Sequence, residues 1–595
     1  MSDRQHRLPL NSIAYWVAFC VLCAASLIPL WSVRIPPMQD IWQHLALVNV
    51  LHTYNDPGSI FPDFFMLPQT PKPNLFYYYV TDFLAYFTPD IETANKLVLS
   101  LYVLTFPLGF LYFLRCFGKS RWLAFFAFPL IYNSMFSYGF VSFLLGMPML
   151  LVAVGAYRRF VAREGADLDA FSGVIAGASI LLAFFTHAHI FLLTCFLCGL
   201  LFLMHRGRGV WRMLLQLAPF APGFAFFVPW FIVYFLEHTP STTGISFGSF
   251  DKFFGPTFYK PSQILGSFFF YVGDYFRGER DDALFVALIL AAMTLLMLRV
   301  GPTIPPGERR KMRYYDLEVL TVVLSLSALV LPQHIEAQAI VSLRHVVFAV
   351  LFFFGWLGVE KVPKRVAIPA LVVVMGLHLA GVANLVTGFK AFEKEIGDYP
   401  SLFERAEPGK RLLKVTYNLE SRVVNHGALW HMHFFYTILR AGVSDLQFAE
   451  YPHNPIQYRP GMVPPQTGVE FTKSPVWRYY DYVLLRKSSL PPMKPAEDHL
   501  ESIGETDDWI LYKVLESPAA RGPDTEPLAN PRRTDLDPMG TVNVPKVPKI
   551  EAGVPHAPSL QRDVPRILPG SRELLRGRFR EGQPLGPSQR GPAGR

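Results

Sequence analysis

The chain has 595 residues, of which 51% are hydrophobic, 15% aromatic and only 17% charged, with a formal net charge of +9. Its mean hydropathy is positive, which excludes an ordinary water-soluble globule of this size. The positive charge falls mostly in short segments between apolar runs and in the tail, so it argues for membrane orientation rather than for nucleic-acid binding, and no nucleic-acid partner is expected.

Apolar runs of roughly 15 to 23 residues recur from Ser12 to about Gly388, against the ~20 residues that cross ~30 Å of hydrocarbon as helix. The first, 12–33, follows Arg4 and Arg7. It is longer than the usual core of a signal peptide, about 7–15 residues, and reads as an anchor. Pro37 then favours a helix start, which puts Asp40 near a helix N-terminus. At about 100° per residue, His44 projects within roughly 40° of Asp40, and Leu47, Val48 and Leu51 continue the stripe. The pair therefore faces packed protein or lipid. Ionisable groups held at a membrane boundary and aimed inward are costly, which makes them a site hypothesis; helix-end stabilisation is the plainer reading of Asp40.

A Pro-rich loop through Pro62, Pro68, Pro71 and Pro73 leads into Asn74-Leu-Phe-Tyr-Tyr-Tyr, read as a short aromatic helix at the interface. The first loop thus covers 34–92. Further spans are expected at 93–114, 122–136, 138–157, 171–186, 189–204, 211–236, 283–298, 316–332, 343–359 and 367–388, about eleven in all. Residues 170–204 as one helix would stretch ~52 Å, so the helix is expected to break at Thr186-His187-Ala188-His189. With that break every segment on one side is basic, from Arg4 and Arg7 through Arg309, Arg310 and Lys311 to Lys361, Lys364 and Arg365, as the positive-inside rule requires. The N-terminus is then cytoplasmic. A second large outside segment, 237–282, is rich in aromatic residues.

All five cysteines, Cys20, Cys23, Cys116, Cys195 and Cys198, lie in or beside apolar runs, so packing explains them better than redox or metal chemistry. From about Phe389 the composition becomes that of a soluble domain. Segments at Arg411, Tyr482 and Trp509 read as strands and Trp430 to Arg440 as a helix, giving an extracytoplasmic α/β domain over 389–515. Residues 516–595 contain 14 prolines and few large apolar residues, a disordered composition. The expected fold is mostly α: a polytopic membrane bundle over 1–388, the small α/β domain, and the tail. No repeat and no phosphate-binding glycine loop is present.

The order of local features resembles the GT-C superfamily of multi-spanning glycosyltransferases. The resemblance rests on the first span followed by Pro37-Met-Gln-Asp40-Ile-Trp-Gln-His44, on Pro73-Asn-Leu-Phe-Tyr-Tyr-Tyr, on Glu92-Thr-Ala-Asn-Lys-Leu opening the next span, on Arg344-His345 before a late span, and on an α/β domain after the bundle. It implies transfer of a sugar from a polyprenyl-phosphate donor to an extracytoplasmic glycan, lipid or protein. Asp40 matches the acidic residue of the first outside loop, which serves as general base or helps hold a divalent cation; His44 stands beside it. Arg344, with His345 next to it, is the first choice for the donor phosphate, because a guanidinium binds phosphate bidentately; Lys260, Lys72 and Arg34 follow.

The chain departs from the family at Tyr132-Asn-Ser-Met-Phe-Ser-Tyr-Gly, where many members carry a second acid. Either another residue, such as Asp82, Asp90 or a histidine, supplies that function, or this chain has lost the usual chemistry. No cofactor is assigned, and a divalent cation stays open. His187 and His189 are metal candidates only in a broken turn, since on a helix they diverge by ~200°; His431 and His433 meet the same objection. A transporter or flippase of a lipid-linked or polar substrate is the alternative, for which the break at His187 speaks and the lack of a repeat does not.

Overall fold

The structure, a computed structural model, describes residues 12–515 apart from 69, 163–167, 208, 239–271, 299–314, 333–339, 360–361, 417–419, 446, 452–453, 466–474 and 488–498. Most of the expected outside segment 237–282, Lys260 within it, and the tail 516–595 lie outside the described residues. The described residues belong to one compact unit, Met1–Pro545.

Among the described residues, six helices are long and apolar enough to cross a membrane: Ile13–Trp31, Ile91–Cys116, Val141–Val161, Ala188–His205, Val210–Val233 and Lys364–Arg405. Eleven spans were expected, and the difference has local causes. Residues Arg121–Leu130, expected as part of a span, wind as a 3₁₀ helix whose side chains are nearly all buried. At ~2 Å per residue those ten residues cover ~20 Å, so the segment fills the bundle interior without spanning it. The segments expected at 171–186, 316–332 and 343–359 form Ala170–Thr186, Asp316–Val330 and Arg344–Trp356, with 17, 15 and 13 residues. The helix Arg280–Met297 opens on Arg280, Asp281 and Asp282.

Helix starts follow local chemistry. Asp90 accepts the Thr93 N–H at 2.6 Å and sets the start of Ile91–Cys116, while Asp169 accepts from Ser172 at 3.3 Å to start Ala170–Thr186. Both are N-caps that satisfy otherwise orphaned donors. Helix Arg344–Trp356 is apolar all round and buried along almost its whole length, the pattern of a central bundle helix. Lys364–Ile396 runs eight residues beyond the boundary expected at 388, carrying the chain directly from the bundle to the sheet.

The sheet has strands β2 (Arg411–Thr416), β3 (Val443–Ser444), β5 (Tyr482–Arg486), β6 (Leu500–Glu505) and β7 (Trp509–Val514), in the order β3-β2-β5-β7-β6. β2 pairs parallel with β3 and β5, whereas β5–β7 and β7–β6 are antiparallel. Strand alternation divides the side chains: Leu412, Leu484, Trp509 and Leu511 join the main core, while Leu413, Val415, Val483 and Leu485 build a second core with Trp477 and Tyr480. One sheet face therefore rests on the rest of the unit. The expected helix 430–440 is shorter, a 3₁₀ turn at Met432–Phe434 followed by Phe435–Arg440. A separate two-stranded pairing, β1 (Phe65–Met66) with β4 (Gln457–Tyr458), ties the first loop to the C-terminal region.

Candidate active site

Asp40 stands between two helices. Helix α1 (Ser12–Trp31) contains Pro29 near its end, Pro36 and Pro37 hold the residues before them out of helix, and α2 (Ile41–His52) begins with Asp40 at the N-cap position, φ −95° and ψ 0°. An aspartate there ordinarily accepts a backbone N–H from the first turn. The Asp40 side chain makes no such bond. Helix capping, the plainer reading of this carboxylate, therefore lacks its contact.

The turn that lacks the expected second acid packs against this segment through its backbone. Gln39 N donates to Ser137 O at 3.0 Å and Asp40 N to Tyr138 O at 3.1 Å. Gly139 adopts φ +81°, and a Cβ at that position would lie 2.7 Å from Asp40 N. Only a glycine allows both the left-handed turn and this approach. On the far side, Tyr275 Oη donates to Pro37 O at 2.8 Å and His426 Nε2 lies 2.7 Å from the same oxygen, so its ring N–H donates there.

Helix α2 is clamped by the C-terminal region. Trp42 packs on Phe435, Asn49 Nδ2 donates to Thr437 O at 2.8 Å, and the Phe448 N–H donates to Gln43 Oε1 at 3.0 Å. His44 is buried, with Nδ1 2.7 Å from Tyr78 Oη and its ring against Tyr77 and Phe448. Gln43 Nε2 lies 3.2 Å from His431 Nδ1, and His431 Nε2 lies 3.5 Å from Asp40 Oδ1.

Burial pushes the Asp40 carboxyl up from 3.8 to about 7, against the hydrogen bond from Gln39 and the positive charge of Arg344, which both lower it. His431 is held well below 6.5 by burial, by Lys414 and by His44. The Asp40–His431 contact is therefore between a carboxyl and a neutral imidazole rather than an ion pair. A base whose affinity for protons is near neutral is suited to accept one and release it again at physiological pH.

Arg344 opens the buried helix Arg344–Trp356, its side chain stacked 4.4 Å over Phe140 and 5.5 Å over Phe143, one residue beyond the turn that supports Asp40 and three further on. Its Nη1 lies 3.1 Å from His187 Nε2. The break expected at His187 is present: Ala170–Thr186 ends, His187 is extended, and Ala188–His205 begins with His187 Nδ1 accepting the His189 N–H at 3.1 Å. His189 Nε2 lies 2.8 Å from His345 Nε2, and His345 Nδ1 lies 2.6 Å from Ser327 Oγ. Because the Ser327 hydroxyl donates to Leu324 O, His345 Nδ1 carries the proton and its Nε2 accepts from His189; these tautomers follow from the network. Asp40, His44, Arg344, His345, His187 and His189 thus gather at one end of the bundle.

Arg34, Asp82 and Asp90 are engaged elsewhere. Arg34 Nη2 pairs with Glu92 at 2.7 Å. Asp82 pairs with His52 at 2.8 Å, and Asp90 caps its helix, so neither supplies a second acid beside Asp40. Lys72 is buried in the Pro-rich loop, and His433 Nε2 lies 3.3 Å from Asp445 O. Tyr77 and Tyr78 of the aromatic helix Leu75–Ala85 point inward, while Tyr79, Phe83, Tyr86 and Phe87 are exposed. Among the described residues no three His, Cys, Asp or Glu side chains come together to hold a metal ion; the donor set around Asp40 is one carboxylate, amides and imidazoles. Sequence reasoning missed Gln43, Gly139 and Tyr78 and set His431 aside. The His-x-His in Trp430-His-Met-His was its only trace of the C-terminal contribution.

No protein-family model and no curated protein matches the sequence. Among solved structures the chain is similar to ArnT from Cupriavidus metallidurans bound to undecaprenyl phosphate, with a TM-score of 0.52 at 13% identity over 84% of this chain and 98% of ArnT. The apo state of ArnT gives 0.49 at 11% identity over the same shares. The mycobacterial arabinofuranosyltransferase AftD gives 0.46 at 13% identity, over 84% of this chain and 40% of AftD. At such identity the likeness to ArnT is one of fold.

Proposed function

We propose that this chain is an integral membrane glycosyltransferase that moves a sugar from a polyprenyl-phosphate donor to an acceptor on the extracytoplasmic side. The observation that carries this reading is the Asp40 carboxyl: buried, without a capping bond, held near neutrality, and close enough to Arg344 to feel its charge. ArnT, of similar fold, was solved with undecaprenyl phosphate bound, and a donor of that chemistry fits a cationic group beside a base at the end of an apolar bundle.

In this mechanism Arg344 binds the donor phosphate, stacked on Phe140 and steadied by His187. The acceptor hydroxyl or amine attacks the anomeric carbon on the face opposite the phosphate, Asp40 takes its proton, and the lipid phosphate departs with the bonding electron pair, inverting the anomeric centre. His44 positions α2 through Tyr78. The orientation rests on the basic segments at the other end of the bundle, where Arg158 and His205 meet Asp316.

The test compares lipid-linked sugars and envelope glycans by mass spectrometry in cells carrying wild type, a deletion and Asp40→Asn. Transfer requires that Asp40→Asn accumulate donor and lose product at unchanged protein level. The extended break at His187 is the one feature that favours a transporter. Uptake of a lipid-linked or polar substrate into sealed vesicles with no new glycosidic bond would establish that alternative.

A further inference from the structure

We infer that Phe448, Gln43 and His431 form a relay that fixes one tautomer of His431 and aims its Nε2–H at Asp40 Oδ1, so that a residue of the C-terminal sheet region orients the first-loop carboxylate. Casting that carboxylate as the base rests on the function proposed above; the relay itself does not.

The direction of each bond follows from what each group can do. The Phe448 backbone N–H can only donate, so the Gln43 atom facing it at 3.0 Å is Oε1. That choice turns Gln43 Nε2–H toward His431 Nδ1 at 3.2 Å. Nδ1 must then accept, and in a neutral imidazole the proton sits on Nε2. Nε2 faces Asp40 Oδ1 at 3.5 Å, a charge–dipole contact longer than an ordinary hydrogen bond. The ring is kept neutral by burial, with Lys414 on β2 and His44 on α2 both disfavouring a second positive charge.

A neutral donor serves this carboxyl better than a cationic one. Its N–H dipole favours the ionised form without locking Asp40 into an ion pair, and it approaches a single oxygen, Oδ1. The other groups that face Asp40 are Gln39 and Arg344, and Tyr78 feels its charge from Leu75–Ala85. Neither Gln39 nor Arg344 belongs to the C-terminal region. His431 is therefore a positioning residue, and it makes the site depend on how that region sits on α2.

The test reads the carboxyl directly, without any sugar donor. Dicyclohexylcarbodiimide adds to protonated carboxyls, so the yield of its adduct on the Asp40 peptide, measured by mass spectrometry on the full-length purified protein across pH 5–9, follows the protonation of Asp40. His431→Phe keeps a ring and removes the donor; His431→Gln keeps a donor near the position of Nε2; Gln43→Met leaves His431 in place but releases its tautomer. Loss of the N–H dipole that faces the ionised form shifts the midpoint upward, by less than about one unit, in His431→Phe. Gln43→Met shifts it in the same direction by less, and His431→Gln stays close to wild type. Coincident profiles for wild type, His431→Phe and Gln43→Met overturn the relay, as does an equal shift in His431→Phe and His431→Gln, which would mark simple disruption. Should His431→Phe fail to fold, the comparison of Gln43→Met with wild type decides. A shifted profile in a chain that transfers no sugar retains the relay and removes only the transferase reading.

Discussion

Asp40→Asn should make the protein more stable and inactive at once. Burial raises this carboxyl from 3.8 to about 7, a change of about 3 units, and at ~1.36 kcal/mol per unit the ionised form costs the folded state about 4 kcal/mol relative to the unfolded chain. Below pH ~4 the group is protonated in both states and the cost is absent. Between about 4 and 7 the unfolded chain releases this proton and the folded chain keeps it, so wild-type stability falls as pH rises. Above about 7 both forms are ionised and the full cost is present. Asparagine never ionises. Chemical unfolding of the two proteins in one detergent, from pH 4 to 8.5, should show Asp40→Asn gaining on wild type through this window and holding a constant lead above it. A difference that does not change with pH, or a variant that is less stable throughout, would refute the claim that the site holds this charge at the expense of the fold.

Substitutions at Gly139, Arg344 and Tyr78 probe the same geometry, with Gly118 as a control. Gly139→Ala must place a Cβ 2.7 Å from Asp40 N while holding φ at +81°, and should cost about 2–3 kcal/mol by denaturant titration. Gly118→Ala, at φ +66° with nothing near, should cost only about 1 kcal/mol. Under the proposed function, Arg344→Met should weaken binding of a polyprenyl phosphate by about 10- to 100-fold in a competition assay, with Arg344→Lys recovering part of it. Tyr78→Phe removes the hydroxyl on His44 Nδ1; stability should fall by about 1–2 kcal/mol, with less than about a tenfold effect on transfer because His44 acts on helix position.

What the sequence revealed and what it hid divide along range. The Asp40 helix start, the break at His187 and the strands at Arg411, Tyr482 and Trp509 were legible because proline geometry, hydrophobic length and β-branched or aromatic runs act within a few residues. Arg121–Leu130 misled because its apolar length matched a span, and nothing local distinguishes a buried 3₁₀ segment from one. The shorter apolar helices show the same limit: hydrophobicity reports burial, and burial in protein reads like burial in lipid. At the site, Asp40, His44 and Arg344 carried local or family-like signals. The partners that define the carboxyl did not, since His431 reaches Asp40 from the far end of the chain and Gly139 matters only through a backbone contact across two loops.

The central claim is that the Asp40 carboxylate deprotonates the acceptor as a polyprenyl-phosphate-linked sugar is cleaved. The most direct measurement is single-turnover release of free polyprenyl phosphate by purified protein in liposomes that contain lipid-linked sugars and an acceptor extract, followed against pH. Release coupled to a new glycosidic bond, rising with pH around a midpoint near 7 and abolished in Asp40→Asn, is the expected result. Equal release by Asp40→Asn, or movement of substrate across the bilayer with every glycosidic bond intact, would contradict it.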